Sequence, residues 1–216
     1  MKLPCLLLLA FAIQVGSAVA DDATPTKEPE GVKPGDQWTY DQTDEITGNL
    51  KFTYTNAVAS VTDREITLRV TRRGDERVGL MVFDPNWNLI DDGVWKKHRR
   101  TGGEGIEPPL KLDKEWRISE SLQNLKTGEF YAETGKAKVV RQESFTTQAG
   151  TFDTFKIVAE LRETATADPA KSFQSTITTW YAPSINRWVK RITAVRSLGR
   201  LRASLSEELV DYAQAP

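Results

Sequence analysis

The stretch FKIVAELR at residues 155–162 decides the fold class, because its side chains alternate between the two faces of an extended chain. The odd-numbered positions are apolar, whereas the even-numbered positions carry the charged Lys156, Glu160 and Arg162. Successive side chains of a β-strand point to opposite faces of the sheet. The pattern therefore predicts a strand that buries one face and exposes the other.

The same alternation occurs in ITLRVT at residues 66–71 and in LRASLS at residues 201–206. Turn-forming residues break up the chain at Thr47-Gly48-Asn49, Arg73-Gly74-Asp75, Asp84-Pro85-Asn86, Thr127-Gly128-Glu129, Ala149-Gly150-Thr151 and Asp168-Pro169. Alternating runs separated by such turns are typical of antiparallel sheets. The sequence predicts an all-β fold, either an antiparallel sandwich or a curved half-barrel, with little helix.

The beginning of the chain has the features of a secretory signal peptide. Met1-Lys2 is followed by an apolar run at residues 6–13 and then by Ala18-Val19-Ala20, which is the order expected for export and cleavage. We therefore expect a signal peptide at 1–20, a disordered leader at 21–34, a single β domain at 35–212 and a tail at 213–216.

Composition narrows the class of protein further. Cys5 is the single cysteine and lies within the predicted signal peptide, and the first mature residue would be Asp21 rather than a cysteine that could carry a lipid. No later apolar run reaches the ~18 residues of a membrane helix. The formal net charge is -1, which provides no field for nucleic acid. We expect a periplasmic or secreted protein, soluble after cleavage, with no membrane span and no cofactor.

The C-terminal half carries the most specific motifs, Ala149-Gly150-Thr151-Phe152 in a hairpin and Trp180-Tyr181-Ala182-Pro183 at a corner. Together with the opening Gly35-Asp36-Gln37-Trp38, they resemble a family of exported bacterial proteins described as a domain of unknown function, over residues 35–212. The resemblance implies an exported β domain and no reaction. Where that family tends to have Gly after the corner, this chain has Asn186, which tolerates a left-handed backbone. The predicted β-rich fold is more distantly similar to the half-barrels of periplasmic lipoprotein carriers. This similarity concerns the fold and implies no function.

A dense basic run, KKHRR at residues 96–100, precedes the glycine-rich TGGEG at 101–105, which we expect to be flexible. We take as candidate contacts for an anionic or lipidic ligand Lys96, Lys97, Arg99 and Arg100. Arginine and lysine bind phosphate-bearing lipid through hydrogen-bonded forks and point charges. The alternative is a solvated edge strand whose charges prevent edge-to-edge pairing.

The sequence offers no catalytic, cofactor or metal motif. His98 is the single histidine, and neither a Gly-x-Ser-x-Gly elbow nor a phosphate-binding glycine loop occurs. The segment 84–88 has the alternating oxygen side chains of a calcium loop, but Leu89 and Trp95 stand where that loop needs Gly and Glu. The segment therefore predicts a turn.

The chain contains six tryptophans. Trp38, Trp116 and Trp180 begin or end predicted strands, so we expect them in the core. Trp87 and Trp95 flank the turn at residue 84, and we take them as candidate exposed aromatics that could bind a ligand.

Three functions are compatible with these observations. The first is a non-enzymatic protein that binds an apolar or lipidic envelope component. The second is a structural or assembly factor that contacts another envelope protein through sheet edges and loops. The third is a hydrolase of unknown type, which would require a cleft with convergent carboxylates of perturbed pKa.

Overall fold

The computed structural model describes residues 31–216. The predicted signal peptide and residues 21–30 of the predicted leader lie outside the described residues. Within the described part the chain forms β1 (Gln37–Asp44), β2 (Asn49–Val61), β3 (Ile66–Arg72), β4 (Val78–Phe83), β5 (Leu89–Asp91), β6 (Trp95–Thr101), β7 (Glu115–Asn124), β8 (Phe130–Thr147), β9 (Gly150–Ala165), β10 (Ser172–Ala182), a 3-10 turn (Pro183–Ile185), β11 (Arg187–Ser197) and β12 (Arg200–Ala213).

These strands form one closed barrel in which each strand pairs with the next along the chain and β12 pairs with β1. The closing pair is antiparallel and runs from Gln37 opposite Ala213 to Asp44 opposite Leu205. The predicted all-β antiparallel fold with little helix is confirmed. The more specific prediction of a sandwich or curved half-barrel is wrong, because the first and last strands of residues 31–216 pair and close the sheet into a barrel.

The predicted alternation holds in β9, where Ile157, Ala159 and Leu161 are buried while Glu160 and Arg162 are exposed. It fails in β12. Leu201 is exposed and Ser206 is buried there, the reverse of the predicted faces. β12 contains an extra residue, Arg202, because Val195 pairs with Ala203 and Arg196 pairs with Leu201, and a bulge of this kind interrupts the regular alternation of faces.

Two backbone predictions concern turns and are confirmed. Gly150 closes the hairpin of β8 and β9 with φ of 134°, a conformation that residues with a Cβ atom rarely adopt. Asn186 ends the 3-10 turn in the left-handed region with φ of 48° and ψ of 38°. The corner after β10 therefore forms with asparagine in place of glycine.

The loop that follows β6 folds into the barrel. Glu104 contacts Lys97 of β6 and Arg191 of β11, so its side chain lies between strands on different sides of the barrel. The backbone beside it is held by a hydrogen bond from Trp116 Nε1 to the Gly103 carbonyl (2.9 Å) and by one from Gly105 N to Asn88 Oδ1 (2.8 Å). The sequence suggested a flexible segment here, and the structure instead shows a packed one.

Glycine is required in this loop for steric reasons, which makes Gly105→Ala a test of the packing. A Cβ at residue 105 would lie 2.2 Å from the Asn86 carbonyl oxygen and 2.6 Å from Asn88 N. We expect the substitution to lower the free energy of unfolding by about 1–3 kcal/mol, as overpacking does, in urea unfolding curves. Gly79→Ala is the matched control, because its Cβ would make an ordinary 3.6 Å contact with Val70. Equal stability of the two variants would contradict the loop packing.

Candidate functional site: a charged cavity in the barrel

A cavity of about 620 Å³ lies at the β3–β4 side of the barrel and is open to solvent. Its apolar lining includes Phe52, Val70, Leu80, Met81, Phe83 and Leu89. Its polar lining includes Tyr54, Asn56, Glu104, Arg187, Arg191 and Glu207. The lining also includes Arg77 and Val78 at the start of β4, which are exposed. The cavity therefore extends from the buried interior to solvent at the β3–β4 end of the barrel.

Arg187, the first residue of β11, is the most unusual group in this lining. It is 0% exposed, and none of its Nε, Nη1 and Nη2 atoms has a hydrogen-bond partner among residues 31–216. Its guanidinium carbon lies 3.5 Å from the ring centroid of Trp188 and 4.0 Å from that of Trp87. Burial lowers the pKa of Arg187, but arginine remains charged in proteins. The cavity wall thus holds a cation that is stabilised by aromatic rings and that forms no ion pair with a carboxylate of residues 31–216.

The ring of Trp87 reaches Arg187 from a strained backbone. Trp87 has φ of 61°, which is a rare conformation for a bulky residue. Asp84 holds this loop, because its Oδ1 accepts hydrogen bonds from the backbone N–H groups of Asn86 and Asn88, both at 2.9 Å. Backbone strain of this kind is concentrated at functional sites. The predicted turn at Asp84 is confirmed, and its effect is to place an indole against Arg187.

Arg191 lies four residues after Arg187 in β11 and differs from it in having a carboxylate partner. Its guanidinium lies 5.1 Å from the Trp188 ring centroid, and its Nη2 donates to Glu104 Oε2 at 3.0 Å. Two guanidinium groups therefore contact the same indole. Arg191 has a carboxylate partner, and Arg187 has none among the described residues.

A second buried group of charges lies beside this cavity and centres on Lys97 of β6. The Lys97 ammonium pairs with Glu104, and it lies 3.3 Å from Glu133 Oε1 and 3.4 Å from Glu120 Oε2. Its side chain is 8% exposed. We call Lys97, Glu104, Glu120 and Glu133 the Lys97 cluster.

The acidic members come from three places in the fold. Glu120 and Glu133 are direct cross-strand partners in β7 and β8, and Glu133 is in turn opposite Glu163 in β9. Like charges placed directly opposite each other are destabilising. This row of three glutamates, Glu120, Glu133 and Glu163, is compatible with folding for two reasons. The Lys97 ammonium neutralises part of the negative charge, and protonation of the carboxylates can neutralise more.

The pKa values show how the charges of this row are distributed. Burial, together with the nearby Glu104 carboxylate, raises the pKa of Glu133 to about 9. Burial also raises the pKa of Glu120 and of Glu163. Lys97 and Arg191 outweigh burial at Glu104, whose pKa is lowered. At neutral pH the Lys97 cluster therefore contains an ionised Glu104 and a protonated Glu133.

Carboxylate oxygens of Glu104, Glu120 and Glu133 lie within 4.8 Å of one another. Three carboxylates at this spacing could coordinate a cation. The ammonium group of Lys97 already contacts all three of them. We interpret the cluster as a buried ion network rather than as a metal site.

The structure separates the four predicted basic contacts. Lys96 and Arg100 are exposed, whereas Lys97 points into the carboxylates of its cluster. Arg99 pairs with Asp84, and this contact fixes the turn that carries Trp87. β6 lies between β5 and β7 in the barrel, but it pairs with β5 only at Lys96 opposite Asp91, so the alternative of charges that protect a strand edge stays a prediction.

The predictions for the tryptophans have mixed outcomes. Trp38, Trp116 and Trp180 are buried, as expected. Trp87 is 2% exposed, so the prediction that it is an exposed aromatic is wrong. The strained turn directs its ring inward, against Trp38 and Phe83. Trp95 is half-buried and packs edge-on against Tyr131, with ring centroids 5.5 Å apart.

Several residues of the site were missed from the sequence, although some left a signal. Glu120 shares its strand parity with the apolar Ile118 and Leu122, and Glu163 shares its parity with Leu161. A charged side chain on the apolar face of a strand must be paired or neutralised. Arg187 left no such signal. It and the next two residues, Trp188 and Val189, are all buried, so this part of β11 has no alternation of faces that the sequence could reveal.

Comparisons with known proteins identify the fold. No protein-family model matches the sequence, and no curated protein does. Among solved structures, the chain is similar to a Bacteroides fragilis protein described as exported, with a YmcC-like fold (TM-score 0.54, 12% identity, covering 85% of this chain and 98% of that chain). It is also similar to a Parabacteroides distasonis protein described as a lipoprotein (TM-score 0.53, 14% identity, covering 85% and 97%).

These similarities establish a YmcC-like fold for most of the chain. They agree with the β-rich domain that the sequence resemblance implied. In the described part of the chain, no helix is both long enough and apolar enough to cross a membrane.

Proposed function

We propose that this protein is a non-enzymatic binding protein that holds an apolar or lipidic envelope component in the barrel cavity. The observation that carries the proposal is the cavity of about 620 Å³ at the β3–β4 side of the barrel. Its size lies within the roughly 300–1,000 Å³ of small-molecule sites, and it combines apolar walls with a few polar groups, as such sites do. Its extension to the exposed Arg77 and Val78 provides an entrance.

A hydrolase is less well supported by the geometry. Glu133 has the raised pKa of a general acid, but it is 1% exposed and is not part of the cavity lining. Glu120 and Glu163 are also absent from the lining, and Glu104 is engaged by Lys97 and Arg191. A general acid must come within hydrogen-bond reach of its substrate, which favours a stabilising role for these carboxylates.

An assembly factor that uses sheet edges is also less well supported. Each strand of residues 31–216 has a paired neighbour on both sides, so a partner strand could add only along β6, which meets β5 at the single pair Asp91–Lys96. The cavity favours a small apolar or amphiphilic ligand over an added strand.

Titration with the neutral fluorescent probe Nile red tests this proposal. We expect saturable binding with one site per chain, because the apolar walls of the cavity exclude water from the probe. Met81→Trp adds an indole to the cavity wall and should weaken binding at least about tenfold, the equivalent of about 1.4 kcal/mol. The fluorescence of the probe at increasing protein concentration gives both values.

The matched control is Leu112→Trp, which adds the same indole at an exposed position outside the lining. It should bind Nile red as the unmodified protein does. Absence of saturable binding, or an equal loss in both variants, would count against a ligand in the barrel cavity.

A further inference from the structure

We infer that the ligand of the cavity carries a carboxylate or phosphate group, and that Arg187 binds this group. The inference rests on the proposed function and specifies the chemical class of the ligand: an anionic amphiphile whose charged end meets Arg187 and whose apolar part lies along the cavity wall.

The first argument is the exceptional state of Arg187 among the buried cations. Lys97 contacts three carboxylates and Arg191 pairs with Glu104. Arg187 is the most deeply buried of the three, and its nitrogens have no hydrogen-bond partner in residues 31–216. Buried charges are normally paired and hydrogen-bonded. An anion in the adjacent cavity would supply the pair that the described residues do not.

The second argument concerns the donors that remain available. Trp38, Phe83, Trp87 and Trp188 contact the guanidinium through their rings at 3.5–5.4 Å. A cation–π contact stabilises the charge but uses no N–H group. The planar fork of five donors, which matches the geometry of a carboxylate or phosphate, therefore has no anionic partner among residues 31–216.

The third argument is the charge that surrounds Arg187. Glu207 is the acidic group whose charge acts on Arg187, and it lines the same cavity. It makes no hydrogen bond to the Arg187 nitrogens, and its Oε1 accepts one from Gln42 Nε2 at 3.4 Å. Tyr40 and Tyr54 also face Arg187, and Tyr40 Oη donates to the Trp188 carbonyl at 2.8 Å. The neutral phenol of Tyr40 stabilises the cation through a side-chain hydrogen bond of marginal geometry, and no carboxylate of residues 31–216 binds it.

The strained Trp87 supports a functional interpretation of this cage. Its left-handed backbone places the ring 4.0 Å from the guanidinium, and the Asp84 turn and Arg99 hold that geometry in advance of binding. The aromatic rings of Trp87 and Trp188 therefore orient the Arg187 guanidinium in place of an acidic partner. The Arg187 guanidinium has no exposed surface, so binding requires a small side-chain movement at the wall, for which Trp188 is the reporter.

Displacement of Nile red by three ligands of equal chain length tests the inference: dodecanoate, dodecyl phosphate and dodecanol, each below its micelle concentration. We expect at least one of the two anions to bind at least about tenfold tighter than the alcohol, and to change the intrinsic tryptophan fluorescence. Preference for dodecanoate alone would identify a fatty acid as the source of the anion. Preference for dodecyl phosphate alone would identify a phosphate headgroup, and tight binding of both would identify the shared anionic chemistry.

Variants assign the preference to Arg187. Arg187→Met should reduce the difference between anion and alcohol to less than about twofold while Nile red still binds. Arg141→Met is the control, because it removes an exposed, paired arginine that is not part of the cavity lining and should leave the preference unchanged. Should Arg187→Met fail to fold, Glu207→Gln serves instead: it removes the competing acid and should tighten anion binding without changing the affinity for dodecanol.

The outcomes distinguish this inference from the proposed function. Equal binding of anions and alcohol, or displacement by none of the three while Nile red binds, would overturn the anion site and leave the binding function standing. An anion preference that persists in Arg187→Met would also overturn it. Failure of Nile red and of all three ligands to bind would overturn both.

Discussion

Replacing Lys97 by methionine should lower the free energy of unfolding by about 3–5 kcal/mol, the usual effect of removing one partner from a buried ion pair. Lys97 is the cation at the centre of its cluster, and its loss leaves Glu104, Glu120 and Glu133 facing one another without it. Methionine keeps most of the side-chain volume, so the loss reports charge more than packing. Urea unfolding at neutral pH measures the difference.

Lys96→Met is the matched control, because Lys96 is the preceding residue of the same strand and is exposed. Surface substitutions usually change stability by less than about 0.5 kcal/mol. Adding Glu104→Gln to Lys97→Met should recover part of the lost stability, because Glu104 is the ionised carboxylate that Lys97 neutralises. If the two lysine variants are equally stable, the Lys97 cluster is not a stabilising network.

Glu133→Gln should flatten the dependence of stability on pH between about pH 5 and pH 9. The pKa of Glu133 is about 9 in the folded protein, above its ordinary value, so the folded state holds a proton that the unfolded state releases. This stabilisation is fully present below the unfolded pKa and is lost as pH rises through the folded one. For one proton the loss approaches about 1.4 kcal/mol per pH unit, which amounts to a few kcal/mol over this range.

The neighbouring groups determine how complete the flattening is. Glu120 and Glu163 also have raised pKa values and add a loss of the same sign as pH rises. Glu104 has a lowered pKa, so its contribution is lost as pH falls. Glutamine at residue 133 mimics the protonated acid, and urea unfolding at several pH values should show a smaller slope. Glu115→Gln, which removes an exposed glutamate of β7, should keep the original slope, and the same slope in both variants would contradict the prediction.

The secondary structure was predictable because it depends on neighbours along the chain. Alternation in residues 155–162 predicts one strand, and Gly150 and Asn186 predict the turns that the structure contains. Closure of the barrel was not predictable in this way. It depends on pairing between β1 and β12, which are far apart in sequence, and on bulges such as the one at Arg202 that interrupt the alternation of faces.

The candidate site divides along the same line. Strand parity alone places Glu120 and Glu163 on the apolar faces of their strands, so the sequence by itself determined that buried charges were present. The tertiary structure decided that Lys97 meets them, that the loop after β6 carries Glu104 into the barrel, and that Arg187 lines a cavity without an acidic partner. The physical reason is that side-chain alternation is a local property of a strand, whereas the partner of a buried charge is set by register, closure and loop packing between distant segments.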